Sequence, residues 1–149
     1  SIARVCDSLE WAYSVFDVRE EYSNKQRYPN AEANFFSSVE DFLKGESIDS
    51  LPRFSDILLL SHDWSVDEEM LVGLLQVCRK GSRPRIGAIG SKKKWSAFEK
   101  KAVESGVEKG LIDSVRCPIG LDIGADTPEE IAIAVCAEIL SLERKNVAT

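Results

Sequence analysis

The chain has 149 residues, enough for one domain with a sizeable core. Hydrophobic residues make up 44% of it, which argues for a folded chain rather than a disordered one. Its net charge of -6, from 19 basic and 25 acidic residues, argues against general nucleic-acid binding, which needs a basic surface.

Ile2, Val5, Cys6 and Leu9 recur at helical spacing at the start of the chain. "WAYSVFD" reads as a strand ending at Asp17, and "EEYSNKQRYPN" as a polar loop. "ANFFSS" is a short strand, and Val39 to Lys44 a short helix closed by Gly45. "SDILLLSHD" is a continuous apolar strand of the kind that a parallel sheet covers on both faces. Ser65, with Glu68 three residues on, reads as a capping box. The helix it opens carries Met70, Leu71, Leu74, Leu75 and Cys78 and stops near Gly81. "RPRIGAIGS" is another buried strand, and Ser91 to Ser105 an amphipathic helix ending at Gly106. "LIDSVRCPIG" leads into a glycine-punctuated loop, "GLDIGAD". Thr127, Pro128 and Glu130 then form a second capping box with proline at the first helical position. Ile131, Val135, Ile139 and Leu142 give the last helix its apolar stripe.

Alternating strands and helices predict a Rossmann-like, doubly wound α/β fold, with a mostly parallel sheet and helices on both faces. The expected domain is single, covering 1–149, with its core in 1–143 and a loose tail over 144–149. A mononucleotide-binding unit runs strand, glycine-rich turn, helix, strand, acidic residue. Here a helix and the acidic Asp17 are present, but the first strand and its glycine-rich turn are missing from the chain. Loss of that central strand would leave two half-sheets, so upstream residues or a strand from another chain are expected to complete it.

In such sheets ligands bind outside the carboxyl ends of the strands. Asp17, Arg19, His62, Asp63, Gly87, Gly90, Ser91, Gly120, Asp122 and Gly124 all follow strand-like runs. Asp17 suits a ribose-like diol, or is a solvated loop acid. Arg19 suits a phosphate, or pairs with Glu20 or Glu21. His62 is the only histidine and suits proton transfer, or is simply hydrogen-bonded. A single histidine without a second ligand does not define a metal site. Lys92, Lys93 and Lys94 occupy the first turn of a helix, where the dipole disfavours cations. An anion there would explain them, and a solvated basic surface is the alternative. Asp122 between Gly120 and Gly124 either bonds a ligand ring or braces the loop's amides. No phosphate-loop lysine spacing, catalytic triad or zinc spacing occurs. Cys6, Cys78, Cys117 and Cys136 form no CxxC pair and read as reduced thiols, three of them in apolar segments. Without an apolar run of about 18 residues or a signal-peptide pattern, the expected location is cytoplasmic and no membrane partner is expected.

"PIGLDIGADTPEEIAIAVCAEIL" resembles the C-terminal signature of the xanthine dehydrogenase accessory proteins, the XdhC/CoxI family. "VFDVREEYSNKQRYPNA", "LLLSHDWSVDEEML" and "IGAIGSKKKW" resemble further segments of that family in the same order, with Ser61 where threonine is usual. The resemblance implies a maturation factor, without catalytic turnover of its own, for a xanthine or carbon monoxide dehydrogenase-type molybdenum hydroxylase. It implies molybdenum cofactor (molybdopterin) binding through Asp17, Arg19, His62, Asp63, Gly87, Gly90, Ser91, Lys92, Gly120, Asp122 and Gly124. The implied partners are the apo molybdenum hydroxylase and a cysteine desulfurase-type sulfurase, and a homodimer is weakly implied. Two other classes stay open. Asp17 at a strand end also suits an NAD(P)-dependent oxidoreductase, and the chain could be a docking module that binds only the client enzyme.

Overall fold

The structure is a computed structural model that describes residues 1–148, with side chains through Lys145. Its contacts fall into two compact units, residues 1–38 with 120–149, and residues 39–119.

In the first unit, helix α1 (Ile2–Ser8) packs on the long helix α6 (Pro128–Ala148). The expected capping box opens α6. Thr127 Oγ1 accepts from the Glu130 amide at 3.1 Å, and Glu130 Oε1 accepts from the Asp126 and Thr127 amides at 3.0 and 3.3 Å. The buried face of α6 is centred on Ala132, Val135 and Cys136 rather than on the longer Ile131, Ile139 and Leu142, which are half-buried. No glycine or proline interrupts the helix after Pro128. It therefore continues through residues 144–148, which the sequence reads as tail. Thr149 lies outside the described residues.

Strands β1 (Val15–Asp17) and β2 (Asn34–Phe36) pair in parallel, with Val15 opposite Asn34 and Asp17 opposite Phe36. Only three residues of "WAYSVFD" are strand. Beyond Asp17 the chain turns through a short 3-10 segment, Glu20–Tyr22, and Ser23 Oγ donates back to the Val15 carbonyl at 3.1 Å.

The second unit holds α2 (Val39–Lys44), β3 (Asp56–Leu59), α3 (Trp64–Val77), β4 (Arg85–Ala88), α4 (Lys92–Glu104) and α5 (Lys109–Asp113). β3 and β4 are parallel, with Asp56 opposite Arg85 and Leu59 opposite Ala88. On β4's other side Gly87 forms a parallel bridge to Arg116. "LIDSVRCPIG" is thus the end of a helix followed by a bridging residue, not a full strand. α3 packs against α2, α4 and β3. The unit's buried residues include Leu71, Leu74 and Leu75 of α3, Ile86 and Ala88 of β4, and Phe98 and Ala102 of α4. The amino ends of the strands are tied by charge. Asp56 accepts a two-pronged pair from Arg85 at 2.9 and 2.8 Å, with Arg116 Nη2 at 3.6 Å. The opposite ends are left for the loops that carry the candidate residues.

Candidate functional site

In the second unit the loops after β3 and β4 are joined by one buried ion pair. Lys94 Nζ lies 3.0 Å from Asp67 Oδ2 and donates to the Ile89 carbonyl at 2.8 Å. Asp67 Oδ1 accepts from the Ser61 amide at 3.2 Å. Both residues are only 3% exposed. Two charges this far from water need each other and their backbone partners. Burial pushes the Asp67 carboxyl up, opposed by the Lys94 ammonium and the Ser61 N–H. The pair thus binds the Ser61–Asp63 loop to the Ile89–Ser91 loop.

Lys94 reaches this position by crossing Gly90. A Cβ on Gly90 would stand 2.5 Å from Lys94 Cδ, and its φ of 151° favours glycine. The glycine therefore makes room for a lysine of the same unit. Gly87 is similar: a Cβ there would collide with Ile119 Cγ2 and crowd Arg116. Its bare face admits the Arg116–Ile119 segment.

Around this brace the sequence candidates take definite roles. Asp63 is the N-cap of α3, accepting from Ser65 N at 2.9 Å and Ser65 Oγ at 2.6 Å. The helix starts at Trp64, so Ser65 and Glu68 are not its capping box, because the Asp63 carboxylate satisfies the first-turn donors. Ser91 caps α4, accepting from the Lys94 amide at 3.3 Å. His62, Lys92 and Lys93 are exposed beside these caps. Lys94 is not one of an exposed basic triplet as the sequence suggests. Its spacing to Phe98 and Ala102, both fully buried, puts it on the inward face of α4.

Asp67 and Trp64 stand beside these candidates without being among those the sequence singles out. Asp67 lies in the first turn of α3, three, four and seven residues before Met70, Leu71 and Leu74, on the core face. Trp64 follows "SHD" directly. The residue is 45% exposed, and its ring meets Phe98 edge-on, with centroids 6.4 Å apart. Cys117 is half-buried, and burial raises its thiol, opposed by Lys94. An open groove of about 520 Å³ along α2 and α3 is lined by Glu40, Leu43, Ser65, Glu68, Val72 and Gly73. None of the candidate residues lines it.

In the first unit Asp17 ends β1 as expected. Its Oδ1 accepts from the Arg19 amide at 2.9 Å and from Arg19 Nε at 3.3 Å. Arg19 pairs with Asp17 rather than with Glu20 or Glu21, and its guanidinium stacks 4.0 Å from the Tyr22 ring centre, with Arg27 at 4.9 Å. Gly120 has φ 103° and packs on Ala134 and Val135 of α6. The Leu121 amide donates to the Ala134 carbonyl at 3.1 Å, so this amide is braced by α6 and not by Asp122. Asp122 and Gly124 are exposed in that loop. The candidates therefore divide between the two units.

Comparison with known proteins adds the family. A family model described as the XdhC Rossmann domain matches residues 1–139. The uncharacterized protein YqeB of Escherichia coli (strain K12) is 30% identical over 145 residues, covering 96% of this chain and 25% of YqeB. A crystal structure described as a xanthine dehydrogenase from Bacillus halodurans superposes with a TM-score of 0.76 at 25% identity. That match covers 97% of this chain and 39% of the other. The chain thus spans about a quarter of the curated relative and well under half of the structural one. No helix among the described residues is long and apolar enough to cross a membrane. Parallel strand pairs, intervening helices and the match over nearly the whole length agree, and the chain belongs to the XdhC Rossmann-domain family.

Proposed function

We propose that this chain is the cofactor-holding domain of an accessory protein that matures a molybdenum hydroxylase, and that the loops after β3 and β4 hold a phosphate-bearing pterin cofactor. Family membership, together with a structural neighbour described as a xanthine dehydrogenase, carries the reading.

The residues present fit such a group. The start of α4 offers first-turn amides and the exposed Lys92 and Lys93, a donor set suited to phosphate. The exposed Trp64 ring offers a flat apolar surface against which a heterocycle can stack. Exposed His62, between Ser61 and the capping Asp63, can donate or accept a hydrogen bond at the ring's edge. The Asp67–Lys94 brace keeps these groups in fixed register before any ligand arrives, which lowers the ordering cost of binding. The cofactor would supply the metal chemistry of the client enzyme. This chain's residues hold it and exclude water from one side. The partners proposed are the apo molybdenum hydroxylase client and a sulfurase of the cysteine desulfurase type.

The test is titration of the chain with molybdopterin cofactor, followed by tryptophan fluorescence. Saturable binding in the micromolar range is expected. Replacing Lys92 and Lys93 together by glutamate should weaken it by about tenfold or more, roughly the value of one charge-assisted contact. The unfolding midpoint should hold or rise, since both residues are exposed at a helix start where the dipole favours carboxylates. Binding of NADH but not of the pterin would overturn the proposal in favour of a nicotinamide enzyme that uses Asp17. Capture of the apo-hydroxylase with no small-molecule binding would favour a docking module.

A further inference from the structure

The buried face of α6 is built on Ala132, Val135 and Cys136. Its opposite face is not the polar surface that a helix in water usually presents. Ile133 is 55% exposed and Leu140 38%. With the half-buried Ala137 between them they recur at i, i+4 and i+7, so all three share one stripe. Leu121 is exposed as well, and its amide is tied to the Ala134 carbonyl, so it stands beside the same stretch of helix. The stripe ends in opposite charges. Glu129 stands four residues before Ile133, and Arg144 four residues after Leu140. Both are exposed. At about 1.5 Å per residue, roughly 22 Å of helix separates them, too far for a pair within one chain.

We propose that this face is where two copies of the chain meet, α6 against α6, antiparallel and related by a two-fold axis. A parallel arrangement would set Glu129 against Glu129 and Arg144 against Arg144. The antiparallel arrangement has one register that satisfies charge and apolar contact together. Ile133 with Leu140, and Glu129 with Arg144, have the same midpoint, between Cys136 and Ala137. An axis at that point places Ile133 on the partner's Leu140 and Glu129 on the partner's Arg144, each contact made twice by symmetry. The small Ala137 lies at the crossing, where it lets the two helices approach closely. One helix stripe flanked by Leu121 is smaller than a standard interface, so the association is reversible and in the micromolar range. It weakens with added salt, because its ion pairs lie at the exposed ends. The loop that carries Asp122 leads directly into α6, so the axis sets the two copies' loops at opposite ends of the helix pair. The contact does not depend on what that loop or any other binds.

The experiment is sedimentation velocity of the unsubstituted chain under reducing conditions, from about 1 to 200 μM. The average mass should rise reversibly from one chain to two, and fall again with salt. Ile133→Glu should keep the chain monomeric, with an unfolding midpoint at low concentration close to the parent's, since this side chain faces water. Glu129→Arg and Arg144→Glu should each weaken the dimer by about tenfold, through like charges at both ends. An equal mixture of those two variants should regain it, because each cross pair then joins opposite charges. A mere loss of helix stability could not produce that recovery. A chain that stays monomeric over the whole range, a dimer that survives Ile133→Glu, an assembly larger than two, or a mixture no stronger than its separate variants would each overturn the proposal.

Discussion

Lys94 shows how one side chain can serve architecture where its neighbours face solvent. Its ammonium lies between Asp67, the Ile89 carbonyl and the face of Phe98, 5.3 Å from the ring centre. Lys94→Met would leave the Asp67 carboxylate buried without its cation, at a cost of about 3–5 kcal/mol. Replacing both residues, Asp67→Leu with Lys94→Met, should recover most of that loss. Urea unfolding at neutral pH measures both. At the start of α6, Glu130 shows the reverse electrostatics. The Asp126 and Thr127 amides hold its carboxyl below the usual 4.5. The folded value is the lower one, so the cap stabilises α6 above pH 4.5 and its contribution is lost as pH falls through the folded value. Amide resonances of Asp126 and Thr127 should titrate with a midpoint below 4.5, and Glu130→Gln should remove that titration.

At the level of elements, close approach explains glycines that the sequence offers as ligand contacts. Gly87 is buried in β4, and the Arg116–Ile119 segment lies against its bare face. Gly87→Ala should cost about 1–3 kcal/mol through overpacking. Adding Ile119→Ala should give back part of that cost if the collision with Ile119 Cγ2 is its cause. Thermal unfolding of the single and double variants decides between packing and ligand contact. A ligand role would leave the unliganded protein's stability unaffected. The helix starts were readable for the opposite reason. Thr127, Pro128 and Glu130 act within one turn, so their spacing alone identifies the cap. At α3 the same pattern misled by two residues, because Asp63 reached the Ser65 amide first.

For the whole molecule, the alternation of apolar strands and capped helices was enough to give the fold, since period and punctuation are local properties. Strand lengths were not visible. Among the described residues only Val15–Asp17 and Asn34–Phe36 pair in the first unit, because ladder length depends on the partner and not on the run of apolar residues. Arg116's bridge to Gly87 and the Asp67–Lys94 pair join segments far apart in sequence. The ion pair left a trace in helical spacing, but charged residues are rarely buried, so a solvated face was the natural reading.

That ion pair also sets how the two loops respond to heat. Charged groups lose hydration free energy as temperature rises, so the penalty for sequestering Asp67 and Lys94 shrinks on warming. The join between the loops should then outlast the softer parts of its own unit. The Ser61 amide, locked to Asp67, would be among the last in that loop to exchange its hydrogen with solvent as the protein approaches melting.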